Sequence, residues 1–306
     1  MRLSSRARAR RGRGEGEKKC PLLWKRRVGE DFSEPVSSIE YPELVRGLLL
    51  AMTGRKVPME KFPIGIIGGT GGMGRWFAAF FEKEGHPVRV SGKGTGPRPA
   101  EMAAACPVVI VSVPIGVTQE VIRQVGPHMK RDSLLMDLTS LKAGPVQAML
   151  ASSASEVIGL HPLFGPSVPS LEGQNIAVCP ARGDTWFPRV RGILEGRGAK
   201  IVEATPERHD EVMAVVQALN HLDTIVMGLA IRRSGIDRET LEAFSTPIFR
   251  GKQDVIARVF SNTGLHAEII TANPHAAKTI GLYREVAEKV AETASKGKAA
   301  DLAALM

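Results

Sequence analysis

The sequence predicts an α/β domain followed by an all-helical one, on three observations. Short β-branched runs alternate with helical patterns from Lys61 to Ala204, the arrangement that builds a parallel, doubly wound sheet. A glycine-rich turn, "IIGGTGGMGRW", follows the first run and opens a helix. After about Thr205 the strand patterns stop and amphipathic helical ones take over.

Residues 1–60 make a poor globular sequence: a basic arm, "RARARRGRGEGEKK", a stretch with Pro and Ser, then the helix-like "YPELVRGLLLAM". Residues 61–204 open on the strand "FPIGIIGG", and "GMGRWFAAFFEKEG" follows as a helix ending at Gly85. "PVRVSG", "PVVIVSVP", "LLMDLT", "EVIGLHP" and "NIAVCP" are further short strands, with helical patterns between most of the early ones. In residues 205–306, "PERHDEVMAVVQALNHLDTIVMGLAIRRSG" is one long amphipathic pattern. Its acidic residues come early and its arginines late, as the helix dipole prefers. More helices follow, broken by "STP" and "ANP".

The chain of 306 residues has 43% hydrophobic and 24% charged residues, the composition of an ordinary globular protein long enough for two domains. No uninterrupted apolar run approaches the roughly 20 residues that span a bilayer, so no membrane partner is expected. The net charge of +9 is a property of the tail: residues 1–30 hold 11 Lys and Arg against 3 acids. A nearly neutral body argues against a nucleic-acid-binding surface. Cys20, Cys106 and Cys179 are far apart and lack metal-ligand spacing, which favours a reducing, cytoplasmic setting without disulfides or a metal.

Gly69-x-Gly71-x-x-Gly74, with Thr70, Gly72 and Met73 between, stands between a strand and a helix. That context makes it a dinucleotide fingerprint and the α/β domain Rossmann-type. Gly69 is expected to allow the turn, Gly71 to admit a pyrophosphate and Gly74 to pack helix on strand, while the helix N-terminus offers N–H groups to the phosphates. About 20 residues on, where an acid would hold a free ribose 2′-hydroxyl, the chain has Ser91, with Lys93 and Arg98 close by. Those cations suit a 2′-phosphate and equally fit an ordinary solvated loop. NADP is slightly favoured over NAD. Ser112, Val113 and Pro114 in "VSVPI" end another strand and face the same crevice.

"GGTGGMGRWF", "VSVPI", "DLTSLKAGPVQAML", "GLHPLFGPSVPSLEGQ", "RHDEVMAVVQALNH" and "STPIFR" occur in an order that resembles prephenate dehydrogenases of tyrosine biosynthesis. The likeness runs from about Phe62 through the helical part. It implies oxidative decarboxylation of prephenate to 4-hydroxyphenylpyruvate, or of the amino analogue arogenate, with hydride transfer to NAD(P). It also implies a homodimer formed through the helices, and it names tyrosine as a candidate inhibitor.

By the same resemblance, His161 in "HPLFGP" is the base on the substrate hydroxyl, a role a neutral imidazole suits near pH 7. Ser140 hydrogen-bonds that hydroxyl and the histidine. Arg250 grips a substrate carboxylate with two parallel donors. His209 and His221 stand near the site, and Gln217, four residues before His221, is expected to share its face. Lys142 is either a carboxylate ligand or a surface lysine.

In residues 6–55, "KKCPLLW" and "YPELVRGLLLAM" faintly resemble the second half of a chorismate mutase module. A degenerate remnant without mutase activity and a plain extension explain them equally. A hydroxyacid or imine reductase on the same plan, and a nucleotide-sensing or RNA-binding protein using the tail, are the rival functions. The ordered motifs favour the dehydrogenase over both.

Overall fold

The computed structural model describes residues 60–306, so the mutase-like segment lies outside the described residues. Strands β1 (Ile64–Ile67), β2 (Val88–Ser91), β3 (Val108–Val111), β4 (Leu134–Asp137) and β5 (Glu156–Pro162) follow the predicted runs. They alternate with helices α1 (Gly72–Lys83), α2 (Pro99–Ala105), α3 (Ile115–Val125) and α4 (Ala143–Ser152). Strand β6 (Asn175–Arg182), helix α5 (Trp186–Glu195) and strand β7 (Lys200–Glu203) complete a seven-stranded sheet in the order β2-β1-β3-β4-β5-β6-β7. β1, β3 and β4 are buried along their whole length, as strands covered on both faces must be.

Two expectations change here. β6 runs antiparallel to β5, because the segment 163–174 joining them holds no helix and parallel pairing needs a long crossover. β7, "KIVE", is a strand the pattern did not announce. It is short and mostly exposed, so it shows no apolar run, and only pairing with β6 defines it.

Each face of the sheet carries its own core. Phe77 and Phe81 of α1 and Ile193 and Leu194 of α5 cover one side. Met102 of α2, Ile122 of α3 and Met149 of α4 cover the other. α1 stops at Lys83, and Gly85, with φ of 84°, turns the chain into β2.

The helical half begins where Thr205 caps α6 (Pro206–Met213), its side chain accepting the Arg208 N–H while Pro206 occupies the first turn, the preferred arrangement for a helix start. A π-helical segment, Ala214–Leu219, joins α6 to α7 (Asn220–Arg233). Helices α8 (Arg238–Ala243), α9 (Pro247–Ser261), α10 (Thr263–Thr271), α11 (Ala276–Ser295) and α12 (Ala299–Ala303) follow. Its own core is small: Ala218, Ile270 and Ala276, flanked by Leu222, Ile225 and Ile280. Val215, Val216, Val226 and Leu229 on the central helix and Leu282, Val286 and Val290 on α11 stay exposed.

The continuous helix Pro206–Arg233, 28 residues long, contains a window of mean hydropathy 1.4, enough by length and composition to cross a membrane. Scattered polar residues hide that from a search for unbroken apolar runs. His209, Asp210 and Gln217 on this helix reach instead into the α/β domain, as described next.

Candidate active site

The glycine turn is built as a cradle, with one reassignment. Gly68, with φ of 85°, is the residue that needs a left-handed backbone, and a Cβ on it would lie 2.1 Å from the Ser112 carbonyl oxygen. Gly69 has ordinary φ. A Cβ there would lie 2.5 Å from Val90, so it serves close strand packing and not the turn expected of it. Gly74 acts as expected: a Cβ would lie 2.4 Å from the Gly68 carbonyl oxygen. Thr70, Gly71 and Gly72 are exposed at the start of α1 and Met73 is half-buried, so the first N–H groups of the helix, which have no intrahelical partner, lie open to an anion. A dinucleotide pyrophosphate fits this bare backbone.

The rim around the cradle is also ordered. The Ser91 carbonyl accepts the N–H groups of Gly68 and Gly69 at 2.8 and 3.0 Å. The Ser91 side chain is buried, which removes it from the surface where a ribose would lie. Lys93 is exposed at the tip of the following turn, whereas Arg98 is held by Glu101 at 2.8 Å. Ser112 and Val113 are half-buried beside the turn, and Pro114 caps α3. Trp76 Nε1 donates to the Val168 carbonyl at 2.7 Å and its ring meets Phe164 edge-on, so α1 anchors the "HPLFGPSVPS" loop. Pro166 then sits over Gly72, 3.1 Å from where a Cβ would be.

His161 lies inside β5, paired with Ala177 of β6; the strand continues through it and ends at Pro162. The ring is 3% exposed. Burial, then the neighbouring His209 and the Lys142 cation, hold its pKa well below 6.5. Its Nδ1 lies 2.9 Å from His209 Nε2, and His209 Nδ1 lies 2.8 Å from Asp210 Oδ1. Gln217 Nε2 is 3.3 Å from His161 Nε2, delivered there by the π-helical segment, a feature frequent at functional sites. With both nitrogens engaged in this way, the hydrogen bond expected from Ser140 is absent; Ser140 is half-buried in the loop between β4 and α4.

Asp210 was not singled out from the sequence, yet it joins the two domains. Its Oδ1 accepts the Lys142 N–H at 2.8 Å and its Oδ2 the Ala143 N–H at 2.9 Å, capping the N-terminus of α4. Asn273 Nδ2 donates to the Asp210 carbonyl at 2.9 Å, tying in the segment between α10 and α11. A cavity of about 340 Å³, bounded by Gln119, Thr139, Asp210 and Pro274, borders this junction. A larger open depression beside Gln147, Glu203 and Glu207 contains none of the histidines.

Lys142 is neither a carboxylate ligand nor a surface lysine. It is fully buried, bonded to Asp137, and its Nζ donates to the Leu160 carbonyl at 2.9 Å. Two of its three donors therefore hold the end of β4 and the residue before His161. His221 packs against His266 with ring centroids 4.4 Å apart, and burial followed by that second ring lowers its pKa to about 4. Arg250 is exposed on the first turn of α9, a helix capped by Thr246 and packed on α7. It makes no hydrogen bond to the histidine chain among the described residues.

Residues 86–203 match the family model described as "Prephenate dehydrogenase, nucleotide-binding domain", and residues 205–306 match "Prephenate dehydrogenase, dimerization domain". The chain is 37% identical over 231 residues to a probable arogenate/prephenate dehydrogenase of Methanocaldococcus jannaschii, covering 69% of this chain and 52% of that protein. It is 35% identical over 206 residues to the T-protein of Haemophilus influenzae, covering 67% and 55%. The chain thus spans about half the length of these curated relatives. Among solved structures, Synechocystis arogenate dehydrogenase has a TM-score of 0.62 at 19% identity, over 79% of this chain and 95% of that one. A prephenate dehydrogenase from A. aeolicus, in complex with hydroxyphenyl propionate and NAD+, has a TM-score of 0.62 at 19% identity over 80% and 94%. At that identity the likeness is one of fold.

Proposed function

The chain belongs to the prephenate dehydrogenase family, and we propose that it oxidises prephenate, or its amino analogue arogenate, with loss of CO2 and hydride transfer to NAD(P). The observation that carries this reading is the buried His161 presented by β5, in the same sheet whose β1 leads into the glycine cradle. The oxidised nicotinamide, when bound, supplies the hydride acceptor. His161 takes the substrate hydroxyl proton as the carbinol C–H pair departs as hydride and the C–O bond becomes a carbonyl. The carboxylate then leaves as CO2, its bond pair completes the aromatic ring, and the proton returns to the ring oxygen. No net proton is released, so the protein's task is orientation and temporary storage of one proton. Ser140 borders the hydroxyl, and Gln217 and His209 orient the imidazole.

Arg250 is assigned to a substrate carboxylate on its place in "STPIFR", and it has no ion-pair partner among the described residues. Arg250→Gln is expected to raise KM for prephenate about 10- to 100-fold, the worth of a charged hydrogen bond, with kcat nearly unchanged; initial-rate kinetics check it. Lys93 favours NADP, while the engaged Arg98 and buried Ser91 reduce the cationic support first expected there. The exposed apolar faces of the central helix and α11 fit a homodimer. Among the described residues Cys106 and Cys179 are buried and form no disulfide, with burial pushing the Cys179 thiol up to about 12. The deciding experiment assays prephenate and arogenate side by side, each with NAD+ and NADP+. Turnover of at least one substrate is expected, faster with NADP+. No turnover of either would refute the reading.

A further inference from the structure

We infer that Asp210 is a positioning residue which, through His209, fixes the tautomer of His161 and makes Nε2 its basic nitrogen. The inference rests on the proposed role of His161 as the base. Asp210 is 1% exposed; its carboxyl oxygens accept the N–H groups of Lys142 and Ala143, and Oδ1 lies 2.8 Å from Nδ1 of His209. A carboxylate offers acceptors only, and the N-terminus of α4 adds its dipole in favour of that form. His209 must therefore carry its proton on Nδ1. A neutral ring then has only a lone pair at Nε2, which at 2.9 Å from His161 Nδ1 can be met only by an N–H.

His161 is thereby protonated at Nδ1 and bare at Nε2. The Gln217 amide, 3.3 Å away, donates to that lone pair until a substrate hydroxyl replaces it. Reversing any one link would set two lone pairs, or two N–H groups, against each other. The chain also provides for the proton once taken. When His161 Nε2 gains it, the Nδ1–H bond can break as His209 Nε2–H forms, and the cation then rests against the Asp210 carboxylate. The other charged group acting on His161 is Lys142, which opposes a cation there and is itself paired with Asp137. Asp210 is thus the acceptor within the network that remains to balance the transient imidazolium.

The test is Asp210→Ala in the full chain, since Oδ1 serves both the Lys142 N–H and His209 Nδ1 and a carboxamide could keep either orientation. Removing the acceptor from His209 Nδ1 frees both rings to exchange tautomers. Long-range proton–nitrogen NMR of the substrate-free protein is expected to find His161 protonated at Nδ1 in the wild type and shared between Nδ1 and Nε2 in the variant. With substrate, kcat is expected to fall at least about 100-fold with KM within a few-fold, since a wrong tautomer costs up to about 10,000-fold in catalytic triads. His209→Gln leaves Asp210 on α4 and is expected to lose kcat similarly, which keeps the test valid if Asp210→Ala does not fold. A wild-type His161 protonated at Nε2, or both variants with wild-type kcat and pH profile, overturns the inference. Wild-type protein inactive on both substrates sinks the proposed activity instead, and the NMR result still decides the tautomer.

Discussion

His161→Asn is expected to lower kcat for prephenate by about 100- to 10,000-fold, the usual worth of a positioned general base, while leaving KM within a few-fold. Asparagine fills similar space and can still meet Gln217 or His209, but it takes no proton. The pH profile separates loss of the base from loss of shape. A base must be neutral to act, so the rate falls as pH drops through its pKa. Burial, His209 and Lys142 hold that of His161 well below 6.5. The wild-type kcat should therefore stay level from pH 8 down to about 6.5, the ordinary histidine value, and bend only below it. The variant should lack that bend. Steady-state formation of reduced nicotinamide across this range measures both; a wild-type bend at or above pH 7 would contradict the assignment.

Lys142→Met should destabilise the protein by about 3–5 kcal/mol, the cost of leaving one partner of a buried ion pair alone. Lys142 and Asp137 are both 0% exposed. Thr139 donates to the same carboxylate, but it brings no charge. The substitution also takes the donor from the Leu160 carbonyl, so the strand end before His161 loosens and kcat should fall with stability. Adding Asp137→Asn removes the unpaired charge and should recover part of the stability. Urea unfolding of the two variants checks this. A single variant as stable as the wild type would mean the pair holds nothing in place.

Much of the site was legible because its signals are local. The glycine turn and the strand bearing His161 each depend on residues within one turn or one strand. Adjacent glycines defeated finer resolution: Gly68 and Gly69 differ in backbone angle and not in composition, so the turn was assigned one residue late. Asp210 was missed for another reason. In "RHDEV" it is one acid among several at a helix start, and its role comes from contacts with Lys142 and Ala143, remote in the chain. Lys142, two residues after Ser140 and before a helix, reads equally as a carboxylate ligand or a surface lysine until β4 and β5 close around it.

By itself the sequence determined the strand–helix alternation and the glycine turn that opens α1, since periodicity and glycine spacing act over a few residues, while His161 was marked by the family resemblance. Only the tertiary structure decided which charges would be enclosed, that β6 would reverse direction, and that one aspartate would set the protons on two rings. Those outcomes depend on which distant groups share a water-free space, and no local pattern encodes that.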